Sequence, residues 1–481
     1  MRELESSRAY KTFKNFESMN KIPRCSNNEK NISDFLVDFA KNLGLEVSQD
    51  KVLNVLIKKP GTMGLENQPA VALQAHMDMV CEKEETCDHD FENDPIDMYI
   101  DSGYIKARGT TLGADNGLGV SLALDILESD EIKHPPLEVI ITSTEETGMD
   151  GAIGLSEKAL SATRLINLDT EDDGIMIIGC AGGINAFVEL PMKYEEVKGL
   201  VNKTITISGL AGGHSGLTIG SEHLNAIKLL DNAISKIRNE LDIRLQNLSG
   251  GTKHNAIPTK ATAIVGVNLK DMDSFERKFE EVSNQLVNQY LKREPGIKIE
   301  LTDAPNYEIY IEPETSKKVL NLISLLPHGV NSMVSLEDEL VESSNNLAIA
   351  GIVNDVFKVS LSIRSSNIDQ RQILIDKVKD VSKLLSAKVS LSDGYPMWQP
   401  NYDSKLAQIA KDSYLSLTNE ELAVKTIHAG LETGLLSEKY PDMDMISIGP
   451  NIFGAHTPLE RLSIKSTEFT RDYLIDILSR L

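Results

Sequence analysis

Cysteine is scarce: four in 481 residues, Cys25, Cys81, Cys87 and Cys180, with none spaced as CxxC. So few suggest no disulfide framework and no structural cysteine zinc site, which leaves His, Asp and Glu to hold any metal. Long apolar runs are missing too, and no window approaches the ~18 residues of a membrane span. The opening MRELESSRAYKTFKNF lacks the apolar core of a secretory signal, so a cytoplasmic location is expected. Positive charge is short as well. The 49 Lys and Arg against 72 Asp and Glu leave a net charge of −23, which argues against nucleic acid as a partner because nothing would neutralise phosphates.

What is present is the composition of a soluble globular protein, 41% hydrophobic and 25% charged. The length predicts two or three domains. The N-terminal third alternates helical and strand patterns. NISDFLVDFAKNLGLEV offers a capping Asn or Ser, apolar Phe35, Leu36, Phe39 and Leu43 at helical spacing, and Gly44 as a stop. KVLNVLIKK reads as a strand, and VALQA, LEVIITS and RLINL read as buried strands of a mostly parallel sheet. From about residue 186 the strands alternate apolar and polar residues, as in NAFVELPMKY, KTITISGLAG, KATAIVGVNL and FKVSLSIRSS, with long helices between them. After YPMWQPNYDSK the α/β texture returns. The reading is an α/β domain, residues 1–185 and 397–481, interrupted by a large α+β insertion, residues 186–396.

Three apolar strands end in ionisable residues: VALQA in His76 and Asp78, EVIITST in Glu145 and Glu146, RLINL in Asp169. Open α/β sheets bind ligands outside the carboxyl ends of their strands, so these endings predict a shared rim. GTTLGADNGLGV adds Asp115 on a Gly-rich turn before a helix. It lacks GxGxxG and GK[ST], and the Asp115 charge would oppose a phosphate. GPNIFGAHTPLERLSI adds His456 after another such turn.

A mixed imidazole and carboxylate set suits zinc, with cobalt or manganese as substitutes. His76, Asp115, Glu146, Asp169 and His456 exceed the needs of one tetrahedral ion. With a bridging carboxylate they suit two ions about 3.5–4 Å apart. Asp115 is the natural bridge, with His76 and Asp169 on one ion and Glu146 and His456 on the other. Asp78 is placed to fix the His76 tautomer. Glu145 is placed to take a proton from a metal-bridged water and pass it to a leaving amine. Read alone, each stretch also fits a bland alternative: a strand end reaching solvent, or a solvated turn.

HMDMVCEK, GTTLGADNGLG, TSTEETGMDGA, LINLDTEDDG, AGGHSG, HNAIP, HAGLETG and GAHTPLE occur in this order across nearly the whole chain. Together they resemble the aminoacyl-histidine dipeptidases (Xaa-His dipeptidases, also called peptidase D or cytosol non-specific dipeptidases). These belong to the wider family of co-catalytic zinc aminoacylases, carboxypeptidases and dipeptidases. The resemblance implies a catalytic domain holding two Zn2+ per subunit, with an inserted lid. It implies the same ligand set, with Glu145 as general base. It further implies that His214 in AGGHSG stabilises the oxyanion, that Asn255 and Arg364 bind substrate, Arg364 through the C-terminal carboxylate, and that Gly430 lines the site through its backbone. Members are commonly dimeric, so a homodimer is expected, acting on small peptides away from membranes. His254 and His428 lie in matching stretches without a metal role, and His89, His134, His223 and His328 read as surface or structural. Thr144 and Phe453 depart from the family pattern, which has an acidic residue before the Glu pair and a basic residue in the last loop. The reaction implied is hydrolysis of unblocked dipeptides, Xaa-His-like or broad in preference. An aminoacylase, a tripeptidase or an inactive peptide-binding homologue are the competing readings.

Overall fold

The computed structural model describes residues 2–216, 218–221, 223–335 and 340–481. The chain forms two compact units, one of Met1–Cys180, Trp398–Thr426 and Leu431–Leu481, the other of Ala181–Met397 and Ile427–Gly430.

The first unit is built on an eight-stranded sheet. At its centre Leu137–Thr142, Val71–His76, Arg164–Asn167 and Asp444–Ser447 run parallel. Every residue of Val71–His76 and of Leu137–Thr142 is buried, because helices cover both faces of a parallel sheet. The helices Lys30–Asn42, Ala114–Glu128, Lys405–Thr418 and Ile464–Arg480 share one apolar core with these strands. The parallel arrangement expected of the apolar runs is found in the four central strands. Val55–Lys59 joins Leu137–Thr142 antiparallel, Glu46–Gln49 follows antiparallel, and Ile175–Cys180 meets Asp444–Ser447 antiparallel. VALQA, LEVIITS and RLINL, the runs read as parallel strands, are parallel to one another, and the antiparallel partners lie to either side of the central strands. In the helix Lys30–Asn42 the inward residues are Ile32, Ser33, Leu36 and Ala40, while Leu43 is exposed just past its end.

Register places the site. His76 lies opposite Thr142, and Gln74 lies opposite Asn167, so three strands end level and their next residues share one rim. Gly113 caps the helix Ala114–Glu128 at φ 71°, and a Cβ there would strike Arg24 and Met79, so both conformation and space require glycine. Cys25 and Cys81 are disulfide-bonded, with Cα atoms 5.7 Å apart and a sequence separation of 56 residues. This corrects the expectation of no disulfide: Cys25 is brought beside Met79 by an isolated parallel bridge, a tertiary meeting that spacing does not reveal.

The second unit contains a nine-stranded sheet, antiparallel in its paired strands, including Gly182–Pro191, Leu200–Ser208, Ala261–Asn268 and Val356–Ser365. The buried faces of Ala226–Arg238, Met272–Tyr290, Pro313–Leu325 and Ile368–Leu384 join the sheet in one core. Alternating burial along Leu200–Ser208 and Ala261–Asn268 shows a sheet covered on one face. Among the described residues no helix is long and apolar enough to cross a membrane.

Candidate metal centre and catalytic site

Five donor residues from separate stretches of the first unit converge, with Asp115 between the two histidines. Its Oδ1 lies 3.2 Å from His76 Nε2, and its Oδ2 lies 3.0 Å from His456 Nε2. Asp169 Oδ1 is 3.4 Å from His76 Nε2, and Glu146 Oε2 is 3.0 Å from His456 Nε2. The arrangement has two halves sharing one carboxylate: His76 with Asp169, and His456 with Glu146. Donor atoms of His76, Asp115 and Glu146 all lie within 4.8 Å of one another, a group able to hold a metal ion.

The strand ends explain the placement. His76 closes Val71–His76, and the chain turns at once so that Asp78 comes back behind it. Asp78 Oδ1 lies 3.3 Å from His76 Nδ1 and accepts the backbone N–H of Glu145 at 3.0 Å. Its Oδ2 accepts the N–H of Glu146 at 3.2 Å and the Ser26 hydroxyl at 2.7 Å. Asp78 thus aims the imidazole and also fixes the turn carrying Glu145 and Glu146, a second task not visible in its spacing from His76. That turn starts at Thr144, which has φ 56° and donates to the buried Glu29 carboxylate at 2.9 Å. Asn116 donates through Nδ2 to Asp169 Oδ1 and to the Leu168 carbonyl, setting the Asp169 side chain.

Charge dominates this centre. Burial works against protonation of His76, yet Asp169, Asp115 and Asp78 together hold its imidazole well above the usual range. Hydrogen bonds to Asp115 and Glu146 raise His456 to about 11. Desolvation raises Asp169 to about 6, and it pushes the carboxyl of Glu145 well above its ordinary value, with Asp169, Glu146 and Glu432 adding to the effect. Crowded buried carboxylates demand positive charge, and divalent cations supply it without leaving unpaired anions. Glu146 Oε1 is buried with no hydrogen-bond partner, an acceptor turned inward and free to ligate. Imidazoles, carboxylates and this orphaned oxygen fit a divalent metal.

A buried polar layer below the rim escapes sequence reasoning. Glu432 Oε2 accepts from Gln74 Nε2 and Thr142 Oγ1, both at 2.6 Å. Gln74 Oε1 in turn accepts from Asn167 Nδ2 at 2.5 Å, and Asn167 Oδ1 accepts from the Ser447 hydroxyl and the Asp169 N–H. Desolvation raises Glu432 to about 7. The available signals were Gln74 inside an otherwise apolar strand and Glu432 within HAGLETG.

In the second unit the remaining predicted residues also cluster. Gly216 is the pivot: a Cβ there would meet the His428 carbonyl at 2.5 Å, His214 Cε1 at 3.2 Å and Arg364 Cζ at 3.3 Å. His214 Nδ1 accepts the Gly216 N–H at 3.2 Å, and the neighbouring Ser215 N–H donates to the Asn255 carbonyl at 2.8 Å. The buried Arg364 donates to the Tyr395 hydroxyl at 2.5 Å, and a Cβ on Gly430 would strike the same ring at 2.6 Å. His428 Nε2 lies 2.7 Å from Ser344 Oγ, and burial, with Arg364 nearby, lowers it to about 4. The cluster therefore joins Arg364, His214, Gly430 and the backbone at Asn255, with Tyr395 and His428 as additions. His134 is buried and structural, hydrogen-bonded to the Pro135 carbonyl at 2.8 Å.

The model of peptidase family M20/M25/M40 matches residues 72–480. The chain belongs to this family. It is 37% identical over 467 residues to the cytosol non-specific dipeptidase of Escherichia coli K12, covering 97% of this chain and 96% of that protein. Its fold matches the aminoacylhistidine dipeptidase of Vibrio alginolyticus with a TM-score of 0.90 and 34% identity, over 100% of this chain and 99% of that one. A more distant likeness, to aminopeptidase PepT of Bacillus cereus (TM-score 0.57, 15% identity, 98% of each chain), concerns the fold alone.

Proposed function

We propose that this M20 peptidase is a metal-dependent dipeptidase that hydrolyses unblocked dipeptides, with broad or Xaa-His-like preference. The observation that carries the reading is Asp115, with one carboxylate oxygen toward His76 and the other toward His456. The two dipeptidase relatives, each matched over nearly the whole chain, support the substrate class.

His76, Asp115 and Asp169 would hold one ion, and Asp115, Glu146 and His456 the other; zinc suits the set, and cobalt or manganese could replace it. Bound there, two divalent ions supply Lewis acidity toward the scissile carbonyl and lower the pKa of the attacking water. Glu145, fixed through its N–H by Asp78, takes the proton released as that water adds to the carbonyl carbon. It returns the proton to the amide nitrogen as the C–N bond breaks, giving two free amino acids. In our reading the first unit carries catalysis, and the second recognises substrate. The Arg364 guanidinium pairs with the C-terminal carboxylate, a match of fork geometry. His214 donates to the oxyanion, while Asn255 and the Gly430 backbone contact the peptide. We further place the protein in the cytoplasm, as a homodimer.

The test is a metal-reconstituted assay on dipeptides including β-alanyl-histidine, together with tripeptides and N-acyl amino acids, with metal content measured alongside. Hydrolysis of free dipeptides with two metal ions per chain is expected. Cleavage of N-acyl amino acids or tripeptides with free dipeptides left intact would overturn the substrate class.

A further inference from the structure

The turn that presents Asp115 is gripped from both sides by buried charges that the mechanism does not use. Glu460, 3% exposed, turns its whole carboxylate onto four successive backbone N–H groups. Its Oε2 accepts from Leu112 at 2.7 Å and Gly113 at 2.9 Å, and its Oε1 accepts from Ala114 at 2.7 Å and Asp115 at 3.3 Å. These donors belong to the start of the helix Ala114–Glu128 and the turn before it, where a chain has no partners of its own. On the other side Arg24, 1% exposed, donates through Nη2 to the Gly113 carbonyl at 2.6 Å. Its Nη1 donates to the carbonyls of Met77 at 3.1 Å and Asp78 at 3.3 Å. The N–H of Gly113 is thus spent on a buried anion and its C=O on a buried cation.

Two links follow. Arg24 ties the Asp115 turn to the segment directly after His76. Glu460 ties the same turn to the segment of His456, only four residues earlier in the chain. A carboxylate shared by two halves of a centre must hold its position against both, and these backbone bonds supply that where the Asp115 side chain cannot.

We propose that Glu460 and Arg24 are positioning residues that set the Asp115 carboxylate between the two halves of the centre. This rests on the metal-centre reading above. Glu460 carries the larger share, because a carboxylamide in its place would turn an N–H2 toward donors that need acceptors.

The test is cobalt titration of metal-stripped protein, read by visible absorption and by competition with a chelator, on wild type, E460Q, E460D and E138Q. Glu138 is a fair control. It is 4% exposed and accepts backbone N–H groups of Ser161 and Ala162 at 2.8 and 2.9 Å, but stands at the start of its strand, away from the rim. E460Q is expected to lower cobalt affinity by about 10–100-fold, to change the absorption per bound cobalt, and to lower kcat with KM little changed. E460D, which keeps the charge but shortens the reach, should fall between E460Q and wild type and provides the reading if E460Q does not fold. E138Q is expected to lose thermal stability and keep wild-type cobalt affinity. Wild-type affinity and spectrum in folded E460Q or E460D would overturn the assignment while leaving the dipeptidase reading in place. An equal loss of affinity in E138Q would overturn it too, by showing a general effect of instability. A wild type that binds no cobalt and cleaves no dipeptide would remove both readings together.

Discussion

The two units gather opposite charges. In the first, Asp115, Glu145, Glu146 and Asp169 crowd around two imidazoles at the ends of parallel strands. In the second, Arg364 stands beside His214 and His428 around Gly216. One cluster suits cations, and in the proposed function the other takes an anion. On the proposed function the difference divides the labour: anionic donors would collect what activates water, and a guanidinium would read the end of the substrate. The sheets match this division. Level parallel strand ends converge on a compact centre, whereas the antiparallel sheet presents its residues from loops and a strand end.

The sharpest way to break the comparison is to remove the proton carrier alone. Glu145→Ala should lower kcat by about 10²–10⁴-fold, with metal content and peptide binding retained. Stopped-time product assays and calorimetric binding of a dipeptide check both halves, and substantial residual turnover would remove Glu145 from its role. The matching change in the second unit is Arg364→Ala. Losing one partner of a buried charge pair costs about 2–5 kcal/mol, and here the loss should fall on kcat/KM through KM. A dipeptide amide, lacking the carboxylate, should respond little to the substitution. Equal effects on acid and amide would place Arg364 outside carboxylate recognition.

The first unit was the more legible of the two in sequence. VALQA, EVIIT and RLINL declare burial on both faces, and although each ending alone fits a strand end reaching solvent, three such endings, in His76, Glu145 and Asp169, together point to a site. Strand direction was legible for these central runs, which are parallel as read, whereas the antiparallel flanks emerged only from the fold. Arg24, Glu460 and Glu432 were not legible. Each looks like a surface charge until groups from elsewhere in the chain arrive to use it, backbone for Arg24 and Glu460 and the Gln74 and Thr142 side chains for Glu432: Glu460 meets Leu112 across 348 residues. In the second unit, bare motif matches named His214, Asn255, Arg364 and Gly430. Tyr395, which contacts both Arg364 and Gly430, sits in a stretch with no motif at all.

Covalent structure offers another asymmetry. All four cysteines belong to the first unit, and the Cys25–Cys81 bond joins the segment of Arg24 and Ser26 to that of Asp78. Closing a loop of this length is worth about 2–4 kcal/mol. A Cys25→Ser, Cys81→Ser double variant, or reduction by a small dithiol, should lower the stability of the first unit by that amount in denaturant titrations. Hydrogen exchange should report the change near Asp78 and leave the core of the second unit unaltered. Uniform loss of protection in both units would contradict a crosslink confined to one.

The smallest expected effect is a pH dependence confined to the second unit. Asp231 is buried on the helix Ala226–Arg238, its Oδ1 has no hydrogen-bond partner, and burial raises it to about 7. Its neighbour Lys228 is committed elsewhere, donating to the carbonyls of Ile323, Ser324 and Leu326. A carboxyl raised in the folded state binds its proton there more tightly than in the unfolded chain. Its contribution to stability is therefore full below the ordinary carboxylate range, about 4, and is lost as pH rises through about 7. Asp231→Asn should remove that slope. Urea unfolding at pH 5 and pH 7 is expected to show the parent losing on the order of 1 kcal/mol more than the variant between the two. Taking the difference between variant and parent cancels groups such as Glu432, which titrate in the same window. Parallel pH profiles for the two proteins would mean that Asp231 stays ionised in the fold, with Lys228 answering its charge.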